Sequence, residues 1–338
     1  MDERKITAKL IDLTTKSGIQ ADPVELVGLY VALKAKPMLI LTGQANSGKT
    51  LVVESLMQVL NGGNPRQCQM LTGHAWWAGR TGNTALFSEA QTRLTTGKIM
   101  ALIDEARKPE NADRVFLACL TRISLAEVAV FFPEMAFQIR NERLMRLPSF
   151  HYTEPIPFPS NLFFIGTIDT SLDNWTNDDL DAVTTLMDWR GALTAAQIRG
   201  SVVGTVPGSE NLFLRSCIRS EEAACAKLSS ILGDTKQPLR PLFEMAELLG
   251  NYALVMPPSL INSATVYLAN AWTANGHGLF AEDNPENLAG ALDFVIAHGV
   301  LRPHIGQIRQ AAPLTQKLQA LLDRAMPRSV NMLNPALT

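Results

Sequence analysis

The sequence predicts an α/β fold in which a parallel sheet is flanked by helices and followed by a mainly helical domain. Three observations predict it. Short, almost wholly apolar runs such as Pro37 to Thr42 and Leu162 to Thr167 have the make-up of parallel strands buried on both faces. These runs alternate with stretches whose apolar residues recur at helical spacing, as βαβ units require. Past about residue 190 strand patterns become scarce, and prolines at 238, 241, 257 and 258 separate helical candidates.

Taken in order, residues 1–35 read as helical, with Leu10, Ile11, Leu26, Leu29 and Val31 at three- and four-residue spacing. After the strand at 37–42 a glycine-bearing loop opens a helix from Thr50 to Leu60, stopped by Asn61-Gly62-Gly63. A strand is expected at 67–72, a helix at 86–94 and a buried strand at 98–103 that ends in Asp104-Glu105. A helix is expected at 111–122, a β-hairpin at 127–139 and a further strand at 162–167. The later helical candidates are 242–252, 260–271, 285–298 and 314–325. The expected organisation is a helical leader over 1–20, an α/β core over 21–198, a linker over 199–237 and a helical domain over 238–338.

Gly43-Gln-Ala-Asn46-Ser47-Gly48-Lys49-Thr50 fits G-x-x-x-x-G-K-[ST] at every fixed position. Glycines let the backbone curl so that successive N–H groups face phosphate oxygens, and the following helix adds its positive end. The predicted ligand-holding residues are Gly43, Asn46, Ser47, Gly48, Lys49, Thr50 and Leu51. Lys49 is expected on the β- and γ-phosphates, and the Thr50 hydroxyl on magnesium. Such a loop needs a carboxylate from a neighbouring strand. Asp104 is the expected magnesium ligand, and Glu105 the general base that polarises the attacking water.

These residues together resemble the McrB branch of AAA+ proteins, the motor subunits of modified-cytosine-dependent restriction systems. The resemblance runs from the phosphate loop through Trp76-Trp77-Ala-Gly79, Leu86-Phe87 and Ile103-Asp104-Glu105-Ala106-Arg107, which is similar to the family's D-E-I-N-R. Asn161 to Asp169 looks like the family's N-x-x-x-I-G-T-M-N, and Ala291 to Gly306 its C-terminal helical segment. The match implies an AAA+ core with a helical lid. It also implies a sensor role near the γ-phosphate for Asp169, where the family has Asn. The family's arginine after Leu-Asp is absent, because Ala182 follows Leu180-Asp181; Arg190 is the substitute candidate for a finger reaching a neighbour's nucleotide. Arg240 is a candidate second sensor. Arg140, Arg143 and Arg146 read as a charged face or a channel-facing row, and Trp76 and Trp77 as packing residues or a stacking platform.

Composition narrows the function classes. With 46% hydrophobic and 18% charged residues the chain is globular, not disordered. A formal net charge of -2 lacks the basic excess of a stand-alone nucleic-acid binder, so contact with DNA is expected only through an assembly. The cysteines at 68, 119, 217 and 225 have no metal-site spacing and are expected as free thiols. His298 and His304 are expected as ordinary histidines. No apolar run is long enough to span a bilayer, and the N-terminus lacks a signal core, so a cytoplasmic protein with no membrane partner is expected. The resemblance implies hydrolysis of ATP or GTP with magnesium in a ring, most simply a hexamer. It also implies a separate effector or nuclease subunit and a target-recognition subunit, as in phage defence or DNA restriction. A MoxR-like remodelling chaperone and a nucleotide-gated scaffold are the alternatives. The sequence does not choose between ATP and GTP.

Overall fold

The structure, a computed structural model, describes residues 2–72, 97–123, 144–145, 156–169, 184–194, 204–233, 236–256, 258–322 and 326–334. The chain forms two compact units. The first takes in Met1–Leu26 and most of 36–215, and the second Val27–Ala35 and Ser216–Thr338 with a short stretch at 172–176.

Helix α1 (Arg4–Lys16) buries Ile6, Leu10 and Leu13. Strand β1 (Ile19–Gln20) follows, then helix α2 (Pro23–Ala35) and strand β2 (Met38–Thr42). Helix α3 (Lys49–Asn61) packs against α1 and ends on Gly62 in the left-handed region, a glycine stop that the sequence foretold. Strand β3 (Cys68–Thr72) comes next, as expected.

The next two elements overturn sequence expectations. Residues 97–106 are helical (α4), not a strand. Their buried side chains, Ile99, Leu102, Ile103 and Ala106, fall at i, i+3, i+4 and i+7, while Ala101 and Asp104 face out. An apolar run this short fits either period, and the helical stripe prevails. The helix expected at 111–122 is instead a short 3-10 turn at Pro109–Asn111 and then strand β4 (Phe116–Thr121). Val115 to Leu120 are all at most 1% exposed, as suits a strand paired on both sides and covered on both faces.

Strands β5 (Leu144–Met145) and β6 (Ile156–Pro157) form a small antiparallel pair. Strand β7 (Leu162–Thr167) is where the sequence placed it, whereas β8 (Thr184–Asp188) and β9 (Ala192–Leu193) were not foreseen. The five-stranded sheet is parallel throughout, in the order β3-β4-β7-β2-β8. Leu39 of β2 lies opposite Ile165 of β7 on one side and Thr185 of β8 on the other. From β2 the chain crosses to the far edge, returns through β4 and β7, and then passes over β2 to β8. The loop after β2 therefore sits at a topological switch point, at the carboxyl ends of the strands, where open α/β sheets bind ligands. The helix expected at 86–94, the hairpin at 127–139, Trp76, Trp77, Arg140, Arg143 and Arg146 lie outside the described residues.

The interval 199–237 contains helices α5 (Ser209–Ser216) and α6 (Glu221–Leu232). Glu210 of α5 fastens the amino edge of the sheet: its carboxylate accepts from Val115 N (2.7 Å) and Gln67 Nε2 (2.5 Å).

The second unit is helical among its described residues. It holds α6, α7 (Lys236–Gly250), α8 (Pro258–Asn270), α9 (Asn284–Val295), α10 (Ile305–Gln310), α11 (Ala312–Leu322) and α12 (Pro327–Leu333). Helix α7 starts before the predicted 242 and carries Pro241 inside it. Helix α9 runs into a π-helical turn at Ile296–Leu301. The Tyr267 and Phe294 rings stack at 5.1 Å, and Asn270 clasps Ile218 through both its amide oxygen and nitrogen. No described helix is long and apolar enough to cross a membrane.

Candidate functional site

The site is built at the carboxyl end of β2. Gly43 leaves the strand with φ 131°, Asn46 has φ 60° and Gly48 has φ 87°. Two of these backbone positions require glycine. A Cβ on Gly43 would stand 2.6 Å from the Trp189 carbonyl oxygen, and one on Gly48 would press on Ile19 at 3.1 Å. The loop thus curls through left-handed conformations, a backbone that can turn successive amides to one side, and it ends at the first turn of the 13-residue helix α3. The positive end of that helix adds to the field for an anion.

Trp189, 2% exposed, is the strut of this loop. Its main-chain N–H donates to the Thr42 oxygen (2.8 Å), and its indole Nε1–H donates to the Ser47 oxygen (2.8 Å). A second brace is the antiparallel pair of β1 and β9, which sets Ile19 against Gly48 and is locked by Thr194 N–H to the Gly18 oxygen at 2.9 Å.

Lys49 is 4% exposed and its ammonium is turned onto the loop. It donates to the Gly43 oxygen (2.9 Å), the Gln44 oxygen (2.6 Å) and Ser47 Oγ (3.3 Å), and it ion-pairs with Asp169 Oδ1 at 3.0 Å. Asp169 follows β7, whose Thr167 also reaches the site. A cavity of about 450 Å³ is lined by residues 45–51 together with Arg122, Thr167, Asp169 and Leu193.

Of the residues predicted from sequence, the structure therefore brings together Asn46, Ser47, Gly48, Lys49, Thr50, Leu51 and Asp169, with Gly43 at the root of the loop. It does not bring in the acidic pair. Asp104 and Glu105 lie on α4, the crossover helix that runs back from the carboxyl edge to the amino edge of the sheet. Asn161, just before β7, donates to the oxygens of Ala106 (3.1 Å) and Asn111 (2.9 Å), which places the end of α4 at the foot of β7. Thr167 and the cavity are at its head. Six residues at about 3.3 Å each separate the two by roughly 20 Å. The expectation that Asp104 faces Thr50 and that Glu105 faces the γ-phosphate is corrected by this placement. It followed from reading 98–103 as a strand, which would have ended at the opposite edge. Glu105 is instead bonded to Lys108 and Asn111, and the Lys108 hydrogen bond holds its carboxyl below the ordinary range.

Arg190 sits beside the loop strut, with its Nε 3.4 Å from Asp188 Oδ2 of its own chain. Arg240 is 73% exposed on α7 and ion-pairs with Glu244 at 2.5 Å. His298 packs on Phe294 at 4.4 Å, and no group of three metal-ligating side chains occurs among the described residues. None of the four cysteines is in a disulfide; burial pushes the Cys68 thiol up to about 12.

Sequence reasoning missed Arg122, Thr167 and Leu193 as lining residues and Trp189 as a support. A signal existed for Arg122: the apolar run 115–120 reads as a buried strand, and a residue just past such a strand falls at the carboxyl edge. For Leu193 there was none. No protein-family model matches the chain, and no curated protein matches it.

Proposed function

We propose that this chain binds ATP or GTP with magnesium and hydrolyses it as an AAA+ type motor subunit. On this reading it works in a ring, coupled to a separate effector or nuclease, as in phage defence or DNA restriction. The observation that carries the reading is the left-handed loop between a fully buried central strand and the amino end of α3, with the Lys49 ammonium in the adjoining cavity. That arrangement offers main-chain amides, a helix dipole and one lysine to a phosphate chain.

The donor set of the cavity suits magnesium, a hard cation that takes oxygen ligands: the Thr50 hydroxyl and the Asp169 carboxylate both line it. When bound, magnesium would offset phosphate charge there. The chain's own residues do the rest. Lys49 exchanges its loop carbonyls and Asp169 for phosphate oxygens. Trp189 keeps the loop curled while this happens. Asp169, 45% exposed at the end of β7, is the cavity carboxylate that can accept a hydrogen bond from the attacking water.

One observation favours a second reading, a nucleotide-gated scaffold with little turnover: Asp104 and Glu105 stand at the other edge of the sheet from the loop. Phosphate release with ATP and with GTP, with and without DNA, separates the readings for wild type, Lys49→Ala and Glu105→Gln. The motor reading expects turnover that Lys49→Ala abolishes and Glu105→Gln leaves in place. Nucleotide binding with no phosphate release would select the scaffold. Unchanged binding by Lys49→Ala would remove the loop from both.

A further inference from the structure

We propose that Arg122 binds the terminal phosphate of the nucleotide from within the same chain; this rests on the phosphate-loop reading above and adds to it the group that tells a triphosphate from a diphosphate. Three observations converge on it. First, Arg122 lines the cavity and is exposed there. Among the described residues, the charged ones of that lining are Lys49, Asp169 and Arg122. Since Lys49 and Asp169 are paired with each other, Arg122 gives this described lining a net positive charge.

Second, its backbone is held in a conformation that L-residues avoid. Arg122 has φ 56°, and it is kept there by its own N–H donating to Thr167 Oγ1 (3.2 Å) and by the next N–H, of Ile123, donating to the Thr167 oxygen (2.9 Å). Such positions persist where the surroundings over-determine them, and they cluster at ligand sites. A glycine would fit this backbone better; an arginine there supplies something a glycine lacks.

Third, the sheet order sets its place along the phosphate chain. The loop follows β2, Asp169 follows β7, and Arg122 follows β4, one strand farther out. At about 4.8 Å per strand, Arg122 stands roughly 10 Å from the root of the loop. The phosphate nearest α3 is wrapped by the loop amides, so the outermost one is left to the arginine. A guanidinium presents two parallel N–H donors to phosphate oxygens, which a lysine cannot do.

The test is calorimetric titration of magnesium complexes of ATP, ADP, GTP and GDP into wild type, Lys49→Ala, Arg122→Ala, Arg122→Lys and Arg122→Gly. The expected result is that wild type prefers the triphosphate. Arg122→Ala should weaken triphosphate binding by about tenfold or more while diphosphate binding stays within about twofold. Arg122→Lys should fall between. Arg122→Gly should lose the same preference yet melt no lower than wild type, because glycine accepts the left-handed backbone; this separates lost binding from lost folding. If Arg122→Ala weakens both nucleotides equally, or neither, the assignment is overturned while the loop reading stands. If wild type and Lys49→Ala alike bind no nucleotide, the loop reading falls, and Arg122 with it.

Discussion

The hydrogen bond from the Trp189 indole to the Ser47 oxygen (2.8 Å) makes Trp189→Phe a sharp test of how the loop is held. The substitution keeps an aromatic ring in the core and removes one donor. The Ser47 carbonyl, in a residue only 8% exposed, is then left without that partner, which costs about 1–3 kcal/mol. The smaller ring also leaves a gap against Gly191, whose Cβ position lies 2.5 Å from the indole, so part of the lost packing adds to the cost. A total of about 2–3 kcal/mol corresponds to a fall in Tm of roughly 4–12 °C for a unit of this size. The loop itself should loosen, so affinity for ATP and GTP should drop about tenfold. Thermal melting followed by circular dichroism reads the first effect and titration calorimetry the second. A variant that melts within a degree of wild type and binds nucleotide equally well would refute the strut.

Two further outcomes are expected. Asp169→Asn removes the ion pair that occupies Lys49, so a triphosphate added with EDTA should bind about threefold to fivefold more tightly, as a half-exposed pair contributes about 1 kcal/mol. With magnesium that gain should vanish or reverse, and equal responses in both buffers would count against Asp169 as the metal-facing carboxylate. In the second unit Asp293, 3% exposed, accepts from Arg328 N (2.9 Å), Ser329 N (2.7 Å) and Ser329 Oγ (2.6 Å), tying α9 to the first turn of α12. Asp293→Ala should destabilise that unit by about 3 kcal/mol, measured by urea titration, and leave nucleotide affinity unchanged.

The loop after β2 was legible because all its requirements are local. A buried strand, two glycines at fixed spacing, a lysine and a helix start are contiguous in the chain, and the backbone that results is dictated by which residues tolerate φ > 0. The central strands β2 and β7 were legible for a related reason, since a run apolar on both faces has few other uses. The resemblance had drawn attention to Asp169 just past such a strand, and the structure pairs it with Lys49.

The acidic pair failed for a reason that is also physical. As a string of letters, 98–103 fits a strand and Ile99 to Ala106 a helical stripe equally well. The choice between them depends on which neighbouring run, 98–103 or 115–120, takes the place in the sheet between β3 and β7. That competition is settled by pairing across long sequence separations, and its outcome moves Asp104 and Glu105 from one edge of the sheet to the other. Arg122, Leu193 and Trp189 belong to the same class. The sequence by itself determined that a loop with left-handed backbone would form between a buried strand and a helix, and which lysine would turn onto it. Only the tertiary structure decided which side chains surround the loop, because cavity walls come from residues that strand order, not chain order, makes neighbours.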